Sequence, residues 1–489
     1  MTSGISGYHL ASIKPITQMM IFVFLAIFSM GLCGQSSVNY SYVIDSLYAV
    51  FDEPGKPGCA ICIVKNGEIV YKKCFGLADL EHKIPISDNT QFALASASKQ
   101  FTGLGLTKLI HQKRLNPDIS LSAYLPNETV LWDSVKTRHL IHHTSGIWDW
   151  PYLFIASGHT FNDVITHQGI YEIIKSQPAL NFKPGNAFQY ASSNYVLLGE
   201  IITVVTDTSY FDWITQNVFR PAGMLNTVFQ RNYSDLIPNR AQGYLVENNQ
   251  YLRTSNNICP QGTGSVFSTL TDMTIWLKYV LSEFALRNPE IVNMFAVDTL
   301  NDGNVAPYSF GLMKRGKNCY WHDGVFQGFR NMTIFYPVQN VGLVLLSNSG
   351  SDHILRSAFS VAKMFLKDSV PVMELEDFRK QFAAKSENKP ANTKSTYHQN
   401  LNDFIGVFLN TELLLAYQVY EENDSLFVKN SVERILLTPI EGERDAFHSS
   451  KFLLGDFFFN RNENGLIQAL SLKQRRGNVV KFKKIDAGE

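Results

Sequence analysis

Charge is what this sequence has least of. Only 18% of its 489 residues are Asp, Glu, Lys or Arg, against a hydrophobic fraction of 45%. That ratio, with 6 Trp, 21 Tyr and 34 Phe, excludes wholesale disorder and a long coiled coil. The charges also cancel, 43 against 43, and there is no long basic run, so no nucleic-acid partner is expected. Six cysteines are too few for a disulfide scaffold. The glycine-rich signatures of nucleotide-binding loops are missing at strand-to-helix junctions. Beyond residue 35 no apolar run reaches the length of a bilayer crossing.

The one long apolar run lies at the start. MMIFVFLAIFSMGL follows Lys14 and gives way to small and polar residues from Cys33 to Gln35. This pattern predicts a signal segment over 1–35, removed on export to a periplasm or to the exterior, with an N-terminal membrane anchor as the alternative. Lipid attachment at Cys33 fits less well, because Leu32 precedes it where a small residue is preferred. After cleavage no stable membrane insertion is expected.

The body opens with a helix-like YVIDSLYAVF and then a hairpin pattern, GCAICIVKNGEIVYKKCFG. A two-residue Asn66-Gly67 turn places Cys59 opposite Cys74, so a cross-strand disulfide and two buried thiols are both open. Leu94 to Leu109 reads as a buried helix, and the chain to about residue 230 is mostly helical. Strands return in YSFGLMKR, NCYWHDG and RNMTIFYPVQNVGLVLLSNSG, followed by a helix in ILRSAFSVAKMFL. The fold class is therefore α+β, an antiparallel sheet assembled from distant segments with a helical subdomain between them. Residues 383–400 are polar and linker-like, separating a domain over 36–382 from a C-terminal one over 401–489. The latter is a run of short strands and turns, expected to form a small antiparallel β-barrel or a strongly curved sheet.

Ser96 and Lys99 form S-x-x-K in FALASASKQFTG, and a spacing of three on a helix puts both side chains on one face. A hydroxyl is a weak nucleophile until a base takes its proton, and a neutral lysine amine can do so. Downstream come HLIHHTSGIWD with His142, His143, Thr144, Ser145 and Gly146, then FQYASSNYVLLGE with Tyr190, RPAGMLNTVF, GTGSVFSTLTDMTIW and WHDGVFQGFRN. His139, His142 and His143 cluster locally without the spacing of a zinc site, so no metal is expected.

In motif and order, residues 45 to 365 resemble the serine beta-lactamase-like and penicillin-binding-protein-like hydrolases, especially the branch of class C beta-lactamases, D-aminopeptidases and esterases. The resemblance implies that Ser96 is acylated, that Lys99 and Tyr190 manage its proton, and that the backbone N–H groups of Ser96 and Val325 form the oxyanion hole. It implies substrate-binding roles for Ser192, His322 and Gly324, a mechanism without cofactor or metal, and a lipocalin-like C-terminal domain. Ser192 stands where the family's Y-x-N motif has Asn. A shorter hydroxyl there lacks the paired donor and acceptor of an amide. The activity implied is an exported serine hydrolase acting on an ester, amide or lactam, on a small molecule or a peptide. The alternatives are a D-amino-acid peptidase, a beta-lactamase, and a non-catalytic binding or sensor protein that keeps the fold. Nothing in the sequence fixes an oligomeric state.

Overall fold

The computed structural model describes residues 40–366 and 400–485, apart from 127, 178, 248–249, 412–414, 431–433, 450–454 and 474–478. The expected signal segment, Cys33 and all but the last residue of the expected linker lie outside the described residues.

Helix α1 (Tyr40–Tyr48) leads into a hairpin of β1 (Cys59–Lys65) and β2 (Glu68–Phe75). Asn66 and Gly67 turn the chain with φ of 52° and 81°, as a two-residue turn requires. Pairing starts in the expected register, Lys65 with Glu68 and Val64 with Ile69, and then slips by one so that Ile63 meets Tyr71. Cys74 consequently faces Ala60. A slip of one residue exchanges the two faces of a strand, so Cys59 enters one core while Cys74 packs against the other. Both are free thiols, and the disulfide alternative fails on this bulge.

The chain then leaves the sheet for a helical region containing α2 (Lys99–His111), α3 (Trp150–Ala156), α4 (Ser192–Thr206) and α5 (Leu270–Ala285). It returns as β3 (Met313–Arg315), β4 (Cys319–Phe326), β5 (Phe329–Tyr336) and β6 (Val341–Ser347), and α6 (His353–Met364) follows. The antiparallel sheet has the order β3-β4-β5-β6-β1-β2, so first and last segments pair at its centre. In β1, Ala60, Cys62 and Val64 face the helical region, whereas Cys59, Ile61 and Ile63 face α1 and α6. Burial on both faces is why β1 and β6 read as unbroken apolar runs.

The C-terminal region is a closed barrel of eight antiparallel strands, β7 (Gly406–Asn410), β8 (Leu415–Glu422), β9 (Ser425–Lys429), β10 (Arg434–Pro439), β11 (Ala446–Ser449), β12 (Asp456–Arg461), β13 (Ile467–Lys473) and β14 (Val479–Ile485). Each strand pairs with its sequence neighbour, and β14 closes onto β7. Alternating burial along each strand sends one set of side chains inward, and those side chains fill the interior. Phe404 lies 4.9 Å from Phe459 and 5.0 Å from Phe447, and Tyr417 5.1 Å from Phe482, between ring centroids. A cleft of about 450 Å³ opens outside the wall, where Trp148 and Ala179 face β7, β13 and β14. Ile155 and Ala156 of α3 form one apolar cluster with the barrel, and Trp148 and Phe161 pack against it. Among the described residues no helix is long and apolar enough to cross a membrane.

Candidate active site

Ser96 sits in a tight 3₁₀ turn, Ala95–Ser98, and the α-helix itself opens at Lys99. This differs from a helix running from Leu94. The cause is Ala95, whose φ of 49° lies in the left-handed region that a residue with a Cβ enters at a cost. The turn leaves Ser96 partly exposed while Ala95, Ala97, Ser98 and Lys99 are buried. Lys99 is fully buried and its Nζ donates to Ser96 Oγ at 3.0 Å and to the Thr263 carbonyl at 3.4 Å. The same Nζ lies over the rings of Tyr190 at 5.1 Å and Tyr195 at 5.9 Å.

Tyr190 reaches Lys99 because the His143–Gly146 loop cradles the chain before α4. His143, at φ 55°, accepts the N–H of Gln189 on its carbonyl, and Thr144 accepts that of Gly185. Ser145 Oγ donates to Asn194 Oδ1 at 2.6 Å. His143 Nδ1 accepts the N–H of Ala191 at 3.3 Å and is 3.0 Å from Asn194 Nδ2. Its ring lies 4.4 Å from that of Tyr190. The three neighbouring histidines therefore take separate partners: His139 accepts the Lys136 N–H, and His142 Nδ1 donates to the Tyr308 carbonyl at 2.9 Å. Burial, the largest cause, pushes His139 down to about 4 and holds His142 below the ordinary imidazole range. Ser192 opens α4, buried, with its N–H held by Asp149 Oδ1 at 2.6 Å.

The third wall is β4. β3 covers it only as far as Trp321, and beyond that its edge faces the Ser96 turn. Gly324 is required there, since a Cβ would fall 2.0 Å from the Leu94 carbonyl oxygen. Asn331, across the ladder from Gly324, donates to the Ala93 carbonyl at 2.9 Å and ties the strand pair to the nucleophile segment. Val325 follows Gly324 on this edge with its side chain exposed.

His322 is 1% exposed, 5.8 Å from Tyr190 between rings. Its Nδ1 is 2.6 Å from the Asp323 carbonyl and its Nε2 2.9 Å from the Tyr308 hydroxyl. Burial, reinforced by Lys99 and opposed by Asp323, keeps its pKa below the ordinary value. Ser96, Lys99, Tyr190, His322 and Gly324 are thus brought together, and Ser192 stands two residues beyond Tyr190 at the head of α4.

Tyr308 was not legible in the sequence. It is fully buried and its ring lies within 4.3 Å of His143, 5.9 Å of Tyr190 and 5.8 Å of His322. Its segment is clamped onto α2 by two glycines: a Cβ at Gly103 would meet the Phe310 carbonyl oxygen at 2.0 Å, and one at Gly311 the Lys99 carbonyl oxygen at 2.3 Å. Those contacts join residues about two hundred positions apart, and YSFGLMKR signals only a strand.

A family model described as beta-lactamase matches residues 44–358. The chain is 28% identical over 314 residues to Protein flp of Staphylococcus aureus strain MW2, covering 61% of each chain. It is 28% identical over 329 residues to Penicillin-binding protein 4* of Bacillus subtilis strain 168, covering 63% of this chain and 72% of that one. Among solved structures, an octameric penicillin-binding protein homologue from Pyrococcus abyssi superposes with a TM-score of 0.57 at 20% identity, over 92% of this chain and all of that one. FmtA from Staphylococcus aureus gives 0.57 at 22%, over 68% and 90%. The matching region contains the sheet, the helical region and every residue of the site, and the chain belongs to the beta-lactamase family of penicillin-binding-protein-like serine hydrolases.

Proposed function

We propose that this protein hydrolyses an ester, amide or lactam through an acyl-enzyme on Ser96, and that activated esters are turned over more readily than classical beta-lactams. The observation that carries the reading is the 3.0 Å contact between Lys99 Nζ and Ser96 Oγ at a buried lysine. Lys99, with Tyr190 beside it, takes the hydroxyl proton as Oγ attacks the carbonyl carbon. The backbone N–H groups of Ser96 and Val325 receive the oxyanion. Collapse of the tetrahedral intermediate expels the alcohol, amine or opened-lactam nitrogen with a proton returned through the same pair, and water then repeats the sequence on the acyl-enzyme. Ser192 in place of an amide supports the preference for esters. We read 1–35 as an export signal and 383–400 as the linker, so the hydrolase works outside the cytoplasm. The sequential strand order supports the lipocalin-like description of the barrel, although its interior is filled with side chains.

A fluorophosphonate or penicillin probe followed by peptide mass mapping tests the reading. Label on Ser96 that disappears in Ser96→Ala is expected. Equal labelling of both, or no labelling and no ester turnover by the wild type, overturns it.

A further inference from the structure

We infer that Tyr308 is a positioning residue that holds His322 as a neutral imidazole with its proton on Nδ1, leaving no ring nitrogen to meet substrate. Its catalytic consequence rests on the hydrolase reading above, whereas the protonation pattern does not.

The assignment follows from what each partner can do. A backbone carbonyl only accepts, so the 2.6 Å contact with Asp323 O requires a proton on His322 Nδ1. In a neutral ring Nε2 then carries a lone pair, and the Tyr308 hydroxyl at 2.9 Å donates to it. The charged and titratable groups around the ring are Lys99 from α2, Tyr190 from the segment before α4, Tyr308 itself, and Asp323 on the same strand; Thr333 lies opposite on β5. An imidazolium here would put an N–H against the Tyr308 hydroxyl, which could keep that contact only by turning its own proton toward Tyr195. The ring is also buried, which penalises the charged form. His322 is therefore a support for the β4 edge, and the substrate meets backbone at Gly324 and Val325 instead.

Nitrogen NMR of full-length protein labelled with ¹⁵N-histidine reads this directly, because protonated and bare ring nitrogens resonate far apart; His322→Gln assigns the signals. In the wild type, His322 is expected to show a bare Nε2 and a protonated Nδ1, unchanged from pH 8 to 5.5. In Tyr308→Phe, which keeps the ring and removes the donor, it should begin to titrate toward the ordinary value of about 6.5. kcat/KM for an ester should then fall about 10-fold more than in the wild type between pH 8 and 5.5. A wild-type His322 with its proton on Nε2, or one titrating near 6.5, overturns the inference even if Tyr308→Phe fails to fold. So does a folded Tyr308→Phe whose His322 behaves as in the wild type. Failure of Ser96 to acylate would sink the hydrolase reading while leaving the nitrogen spectrum to decide this one.

Discussion

The active-site cluster and the barrel interior are both built from closely packed rings, yet they use them differently. Around Lys99, the rings of Tyr190, Tyr195, Tyr308, His143 and His322 each carry a polar atom, and the hydrogen bonds at His143 and His322 fix how those rings sit. In the barrel, Phe404, Phe408, Phe447 and Phe459 meet edge to face with no polar atom to direct. Removing an atom from the first cluster should therefore change rate more than stability, and removing one from the second should do the reverse.

The largest separation should come from Gly324→Ala. Its new methyl meets backbone, not a yielding side chain, and a displacement of about 1 Å at such an edge costs about 10²-fold in kcat/KM. Steady-state kinetics with p-nitrophenyl butyrate would show it, and a rate near wild type would mean that the β4 edge and the nucleophile turn are not as closely matched as described. Phe404→Ala tests the other side. A fully buried ring is lost, so denaturant unfolding should report about 3–5 kcal/mol of destabilisation, with kcat/KM per folded molecule retained. A large rate loss there would tie the barrel to catalysis and erase the contrast.

Ser192→Asn lies between the two regimes, as it restores an amide at a buried position without enlarging any ring cluster. We expect nitrocefin turnover to gain over ester turnover by roughly 5-fold to 150-fold, the equivalent of about 1–3 kcal/mol for one buried hydrogen bond. Equal gains for both substrates would remove Ser192 as the source of discrimination. The smallest effect concerns acid. His139, His142 and His322 have folded-state pKa values below the unfolded value of about 6.5. The unfolded chain therefore binds more protons in this window, so stability is full above about pH 6.5 and is lost as pH falls toward 4. Calorimetry should show Tm declining between pH 7 and 4.5. A flat Tm would show that these imidazoles protonate as easily folded as unfolded.

Much of this arrangement was legible beforehand, because it depends on local spacing. S-x-x-K put Ser96 and Lys99 together, the Asn66-Gly67 turn formed, and alternating short runs became the eight barrel strands. What escaped the sequence was non-local or came from one-residue geometry. The bulge after Ile69 has no turn residue to announce it, and it separated Cys59 from Cys74. The strained entry at Ala95 shortened the expected helix to a 3₁₀ turn followed by α2. YSFGLMKR shrank to β3 alone, because Gly103 and Gly311 draw the Tyr308–Leu312 stretch onto α2 instead of letting it pair.

Packing Ile155 and Ala156 into one apolar cluster with the barrel also has a consequence during synthesis. The hydrolase portion leaves the ribosome first, with that part of α3 still uncovered. Translating the barrel takes about 4–17 s at 5–20 residues per second. Throughout that interval the nascent chain carries an apolar face, and the last of the eight barrel strands to emerge, β14, is also the one that closes the barrel onto β7. A chain truncated before Val479 leaves both the barrel and its seat on α3 unfinished. Damage to β14 is thus felt next to the segment that carries Asp149, the residue that holds the head of α4.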